Sequence, residues 1–276
     1  MVTVGLLYPG HSAEDDFPAL ESRVGGTVRL PVVITSVGED AHRVDALLDL
    51  GRSERLADGA AQLAAEKPDA VMWACTSGSF VFGPEGAREQ AAGVAAASGV
   101  PASSTSLAFV DAAKPLGIRR VAVAASYPED VAQHFVEFLR AGGIEVVTMG
   151  SHGIITAAEV GTLERDDVIA MVKAADHPEA DAVLVPDTAM HTLAIIEDLE
   201  TAVGKPVLTA NQVTIWKGME LLGPVPVLPG LGTLFEGAGN DELSRAARAA
   251  VDAEPDRRQA AAGDRCPRVQ AWPTAQ

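Results

Sequence analysis

Apolar residues in this chain fall into short runs separated by longer stretches of helical spacing. Runs at 2–8, 27–34, 69–74, 119–125, 144–149, 181–185 and 206–209 are rich in Val, Leu and Ala, and a shorter one lies near 101–104. Apolar runs of that length predict strands buried on both faces, as in a parallel sheet. Between them, 52–66 places Leu56, Ala60, Leu63 and Ala64 on one helical face, and 129–141 does the same with Val131, Phe135, Phe138 and Leu139. Further helices are predicted over 85–97, 164–175, 190–203 and 211–222. Alternation of this kind predicts an α/β fold of mostly parallel sheet flanked by helices.

Two of the strand phrases are near copies. Residues 69–76 read DAVMWACT and 181–188 read DAVLVPDT, so Cys75 stands in the first where Asp187 stands in the second. The likeness continues outward. Tyr8-Pro9 is matched by Tyr127-Pro128, and Gly99, Pro101 and Gly117 by Gly204, Pro206 and Gly223. The repeat predicts two pseudo-symmetric lobes, 1–115 and 116–235, followed by a segment 236–276 read as a helix over 240–252 and then a tail. Open α/β sheets bind ligands at the carboxyl ends of their strands. Cys75 and Asp187 are therefore expected to face each other across a cleft between the lobes.

Charge narrows the partners. The net charge is −17, and from residue 237 onward six acids are matched by six arginines, so the excess lies in residues 1–236. Such a surface repels phosphate backbones and anionic membranes, which predicts neither a nucleic-acid nor a membrane partner. A small anionic ligand stays possible, because local donors outweigh a distant screened field. No run approaches the roughly 18 apolar residues of a membrane helix, and the start MVTVGLLYPG does not read as a secretory signal. With two cysteines there is no disulfide framework, and a cytoplasmic protein is expected.

The strand ends carry the candidate chemistry. Cys75 is followed by Thr76, Ser77, Gly78 and Ser79, a turn able to cradle a carboxylate with hydroxyls and backbone N–H groups. A helix starting there is expected to lower the thiol pKa and favour thiolate. Asp187 has Thr188 beside it and His191 four residues on, and Tyr127 offers a phenolic donor. Each also has a structural reading: Cys75 as core packing, Asp187 as a helix N-cap, Tyr127-Pro128 as a plain strand-to-helix junction, His191 as a structural or surface histidine, and Cys266 as incidental.

Other chemistries fail on spacing. Gly230-Leu231-Gly232 lacks the third glycine of a dinucleotide fingerprint, and there is no phosphate-loop Gly-Lys-Ser/Thr or Gly-x-Ser-x-Gly elbow. The six histidines are dispersed and predict no metal site. What remains is cofactor-independent acid/base or thiol chemistry.

Ala74-Cys75-Thr76-Ser77-Gly78, the Ser126-Tyr127-Pro128 junction, Asp187-Thr188-Ala189 and the helix start at Asn211-Gln212 resemble the aspartate/glutamate racemase superfamily, in particular its maleate cis-trans isomerase and arylmalonate decarboxylase branch. The resemblance covers residues 1–235. It implies an active site in the cleft between the lobes, a small carboxylate substrate, no cofactor and self-association into a homo-oligomer. Members of the superfamily generally carry a cysteine at each strand end. The isomerases add the first one to the substrate double bond, and the decarboxylases use the second to protonate an enediolate. Carried over, Cys75 is the catalytic thiol, Asp187 its opposite, and Thr76, Ser77, Tyr127 and Thr188 substrate-binding groups.

Departures from the family pattern set the alternatives. Asp187 replaces the second cysteine, against a two-thiol racemase, and the retained Cys75 argues against the standard decarboxylase. Asparagines of the isomerases correspond to Pro9-Gly10-His11-Ser12 and to Gly153-Ile154-Ile155-Thr156-Ala157 here. The resemblance thus implies an isomerase first. A decarboxylase or amino-acid-derivative racemase comes second, and a ligand-binding protein on the same fold is the non-enzyme reading.

Overall fold

The acid that opens each repeated phrase ties two strands together. Asp69 accepts the Thr3 N–H at 2.8 Å, and Asp181 accepts the Arg119 and Arg120 N–H groups at 3.0 and 2.8 Å, so each carboxylate fixes the start of its strand beside the preceding one. The computed structural model describes residues 1–236. The helix expected over 240–252, the tail after it and Cys266 lie outside the described residues.

In chain order the first half holds β1 (Val2–Pro9), α1 (Asp16–Arg23), β2 (Val28–Arg29), β3 (Val32–Thr35), α2 (Val44–Leu50) and α3 (Ser53–Leu63). It continues with β4 (Ala70–Trp73), α4 (Ser77–Phe80), α5 (Gly83–Ser98), β5 (Ala102–Ser104) and α6 (Thr105–Ala113). The second half runs β6 (Arg120–Ala125), α7 (Glu129–Ala141), β7 (Glu145–Ser151), α8 (Ala157–Val160) and α9 (Arg165–Ala175). It ends with β8 (Ala182–Val185), α10 (Ile196–Val203), β9 (Val207–Thr209), α11 (Ala210–Glu220) and α12 (Gly232–Glu236).

Both sheets are parallel and wound alike. The first has the order β2-β1-β4-β5 with β3 also on β1, and the second β7-β6-β8-β9. β1 and β4 therefore occupy in one sheet the central places that β6 and β8 occupy in the other, as the repeat predicts. The run 27–34 forms β2 and β3 rather than one strand. Pro31 has no N–H to give the ladder, and its carbonyl alone holds β1, accepting the Leu6 N–H at 2.9 Å.

Helices follow their apolar faces. α3 buries Leu56, Ala60 and Leu63, and α7 buries Val131, Phe135, Phe138 and Leu139 behind the N-cap Pro128 with Glu129 and Asp130 in its first turn. Gly99 and Gly204, both with positive φ, end α5 and α10 at matching points of the two halves. The helix predicted over 190–203 begins only at Ile196. Buried Asp16 takes the Thr192 and Leu193 N–H groups at 2.9 and 3.2 Å, which holds the approach to α10 as a turn. One core cluster spans both sheets, with Leu6 and Trp73 from the first and Val123 and Leu184 from the second. Among the described residues no helix is long and apolar enough to cross a membrane.

Candidate active site

Cys75 and Asp187 each lie two residues beyond the end of a central strand, β4 and β8, and both line one cavity of about 210 Å³. That is smaller than the roughly 300–1,000 Å³ of drug-sized ligand sites, and it suits a small metabolite. Ser77 and Thr188 line it too, so four of the six candidates read from the sequence meet in one space. Val37, Leu47 and Leu50 give it an apolar wall.

Cys75 is buried, with Sγ accepting the Gly78 N–H at 3.3 Å and lying 3.9 Å from the Ser77 hydroxyl. The turn after it does begin a short helix, α4, as expected. The consequence for the thiol is the reverse of the expected one. Burial pushes Cys75 up to about 12, more than the Gly78 N–H and the Ser77 hydroxyl lower it, and the Asp187 carboxylate adds to the rise. On that balance the uncharged thiol is the favoured form.

Asp187 is 4% exposed and held at both oxygens. Oδ1 accepts the Ala189 N–H at 2.9 Å, and Oδ2 accepts a short hydrogen bond from the Ser126 hydroxyl. The N-cap reading does not describe it, since α10 starts nine residues later, at Ile196. Asp187 is fixed by its own turn and by the end of β6.

Thr76 and Tyr127 sit behind the cavity wall rather than on it. Thr76 is fully buried, its carbonyl accepting the Ser106 hydroxyl at 2.8 Å. Tyr127, expected to offer its phenolic proton to a ligand, donates it here to the Pro186 carbonyl at 2.7 Å. Burial first, then the charges of Asp187 and Cys75, push this phenol well above its ordinary range. That hydrogen bond ties the end of β6 to the turn after β8. His191 also turns away, with Nε2 at 2.8 Å from Asp15.

Tyr8, Ser126 and His42 belong to the site but were not assigned to it from the sequence. Tyr8 lines the cavity, donates to the Thr188 carbonyl and accepts the Ala13 N–H, both at 3.0 Å. The Tyr-Pro repeat was its signal. Ser126 had the same junction as a signal. His42 carries no sequence signal. It reaches the cavity from the loop before α2, with Nδ1 at 2.8 Å from the Ile154 carbonyl and its ring edge-on to Tyr127 at 4.9 Å between centroids. Among the described residues no group of three or more His, Cys, Asp or Glu is placed to hold a metal ion.

Known proteins resemble this chain in sequence and in fold. A maleate isomerase from Geobacillus stearothermophilus is 29% identical over 184 residues, covering 64% of this chain and 73% of the relative. An arylmalonate decarboxylase from Bordetella bronchiseptica is 28% identical over 187 residues, covering 66% of this chain and 78% of the relative. Among solved structures, a Nocardia farcinica maleate cis-trans isomerase mutant with a covalently bound succinylcysteine intermediate superposes with a TM-score of 0.77 at 23% identity, over 85% of this chain and 98% of that one. The family model described as arylmalonate decarboxylase matches residues 51–235. With that match over most of its length, the chain belongs to the arylmalonate decarboxylase family of enzymes.

Proposed function

We propose that this protein is a cofactor-independent isomerase of a small carboxylate, acting through Cys75 and an enediolate-like intermediate, with Asp187 in the place of a second cysteine. The observation that carries this reading is the shared cavity: a buried thiol and a buried carboxylate enter it from equivalent strands of two like-wound sheets. The maleate isomerase relative and the succinylcysteine held by a neighbour of the same fold support the role of the thiol.

The thiol of Cys75 passes its proton to the Asp187 carboxylate, leaving a thiolate and a carboxylic acid. On an unsaturated substrate the sulfur bonds to one alkene carbon and the π pair moves into the adjacent carboxylate as an enediolate. The former double bond, now single, rotates; the pair then returns, the C–S bond breaks, and Asp187 gives the proton back to sulfur. On a saturated substrate the thiolate instead takes the α-proton and Asp187 delivers its own to the opposite face. Either cycle ends with thiol and carboxylate restored. The Ser77 hydroxyl is the side-chain donor nearest sulfur for the enediolate charge.

A second reading rests on the apolar wall of Val37, Leu47 and Leu50, which suits a malonate-like acid with an apolar substituent. Loss of carbon dioxide would form the same enediolate. Incubating a panel of small carboxylates in heavy water and following them by NMR separates the two: isomerisation, or deuterium uptake with every carboxylate retained, marks the first, and loss of a carboxylate the second. Cys75→Ala is expected to abolish turnover and Asp187→Asn to lower it by about 10²–10⁴-fold. Wild-type rates in both variants refute the assignment.

A further inference from the structure

The turn that follows Cys75 is too short to hold itself. α4 spans four residues, Ser77–Phe80, all of them buried, and a single helical turn fixes its backbone for about one hydrogen bond of its own. Yet this turn sets what the sulfur meets, since the Gly78 N–H reaches Sγ at 3.3 Å and the Ser79 N–H closes on the Thr76 carbonyl at 3.0 Å. An anchor from outside comes from α5. Gln90 Nε2 donates to the Gly78 carbonyl at 2.9 Å and to the carbonyl of Gly51, at the end of α2, at 2.8 Å.

Two further observations mark this junction as one that fixes position. Both partners of Gln90 are carbonyls, which only accept, so the amide faces them with its NH2 group and turns Oε1 away. Oε1 is buried there with no hydrogen-bond partner among the described residues, a costly state that the paired carbonyl bonds offset. Gly51 lets the three segments close up. Its φ of −88° is open to any residue, but a Cβ there would stand 2.5 Å from Gln90 Nε2 and 2.8 Å from the Phe82 ring, and would overlap the Gly78 carbonyl oxygen. Gln90, Gly51 and Gly78 do not line the cavity, whereas Leu47 and Leu50 of α2, the helix that Gly51 ends, form part of its apolar wall.

We propose that Gln90 is a positioning residue for Cys75, clamping the Gly78 and Gly51 carbonyls together so that the Gly78 N–H stays on the sulfur. This rests on the reading that Cys75 is the reacting thiol, and it adds to that site a residue that does not line the cavity. The bond from Gln90 fixes the peptide on one side of the Gly78 Cα, and the N–H that meets sulfur belongs to the peptide on the other. A glycine backbone offers little resistance of its own to rotation between the two. With the carbonyl released, the N–H leaves Sγ, and the thiolate formed in turnover loses a charge-assisted hydrogen bond.

Amide exchange separates the clamp from turnover. Hydrogen–deuterium exchange followed by NMR on isotope-labelled protein would compare the wild type with three variants. Gln90→Met puts a methyl where Nε2 stands, Gly51→Ala crowds the same carbonyl from the end of α2, and Val94→Ala loosens α5 without removing a hydrogen bond to α4. The Gly78 amide is expected to exchange at least about 10-fold faster in the first two, as for the loss of one hydrogen bond, and to move no more than the α5 amides in the third. On a carboxylate that the wild type turns over, Gln90→Met is expected to lower kcat by about 10-fold or more while KM changes by less than about threefold. Gly78 exchange that rises no further in Gln90→Met than in Val94→Ala, or a wild-type kcat beside the faster exchange, would overturn the proposal. A wild type that turns over none of the carboxylates would instead refute the reaction assigned to Cys75, and the exchange comparison would still decide whether Gln90 holds the Gly78 turn.

Discussion

The protonation of Cys75 governs how the resting protein reacts with a small alkylating agent. Burial is the largest influence and lifts the thiol from its ordinary 9.0 to about 12, with the Gly78 N–H and Ser77 hydroxyl offsetting only part of it. At pH 7 that leaves roughly one thiolate in 10⁵, about a thousandfold fewer than an ordinary thiol and a cost of about 4 kcal/mol for the charged form. The assay is alkylation by iodoacetamide in a Cys266→Ser background, followed by intact mass between about pH 6 and pH 10. Steric shielding scales every rate alike and leaves the slope unchanged. The rate is expected to climb about tenfold per pH unit with no plateau. Asp187→Asn is expected to raise it by less than about tenfold, because the aspartate charge ranks below burial among the causes. A plateau below about pH 9 would refute the dominance of burial and mean that the α4 turn activates the thiol at rest.

Asp16→Ala strips the acceptor from the Thr192 and Leu193 N–H groups and the Asn211 amide, and is expected to cost about 2–5 kcal/mol in urea unfolding. Burial holds Asp16 above the ordinary carboxylate range, so its contribution is fully present below the unfolded value of 3.8 and is lost as pH rises through the folded one. The difference between the wild-type and Ala slopes over that acid window should show this sign, and the opposite sign would refute it. Gly78→Ala places a Cβ 3.1 Å from Cys75 Sγ and 3.3 Å from the Trp73 ring, and should lower kcat by about 10–100-fold with little change in Tm; unchanged kcat would show that the sulfur tolerates displacement.

Legibility followed the size of the pattern. The strands and the longer amphipathic helices announced themselves because their buried faces recur at fixed periods, as in α3 and α7. Helices α1, α2 and α6 were not predicted. Each spans nine residues or fewer, too few turns for a clear period, and α6 is buried over most of its surface. The start of α10 was misplaced for a different reason. Asp16 is 176 positions away from Thr192 in sequence, and nothing near Thr192 shows that its N–H will be taken.

Within the site the same division holds. The repeat pointed to Cys75 and Asp187 because both are read against a duplicate strand, and the Ser77 and Thr188 neighbours came with them. Thr76 and Tyr127 are as close in sequence, yet they turn inward, since a residue just past a strand can face either cleft or core and only packing chooses. His42 shows the converse, reaching the cavity through a hydrogen bond to Ile154 in the other half of the chain.

By itself the sequence determined the α/β class, the two like-wound sheets and the pairing of a thiol with a carboxylate, because apolar period and duplication are local properties that survive without coordinates. Tertiary structure alone decided the state of that pair. Whether Cys75 rests as thiol or thiolate depends on how much water is excluded around it against how many N–H groups reach it, and here exclusion wins. It decided as well which residues past the strand ends reach the cavity, Cys75, Ser77, Asp187 and Thr188, since packing rather than order along the chain sets which way each one faces.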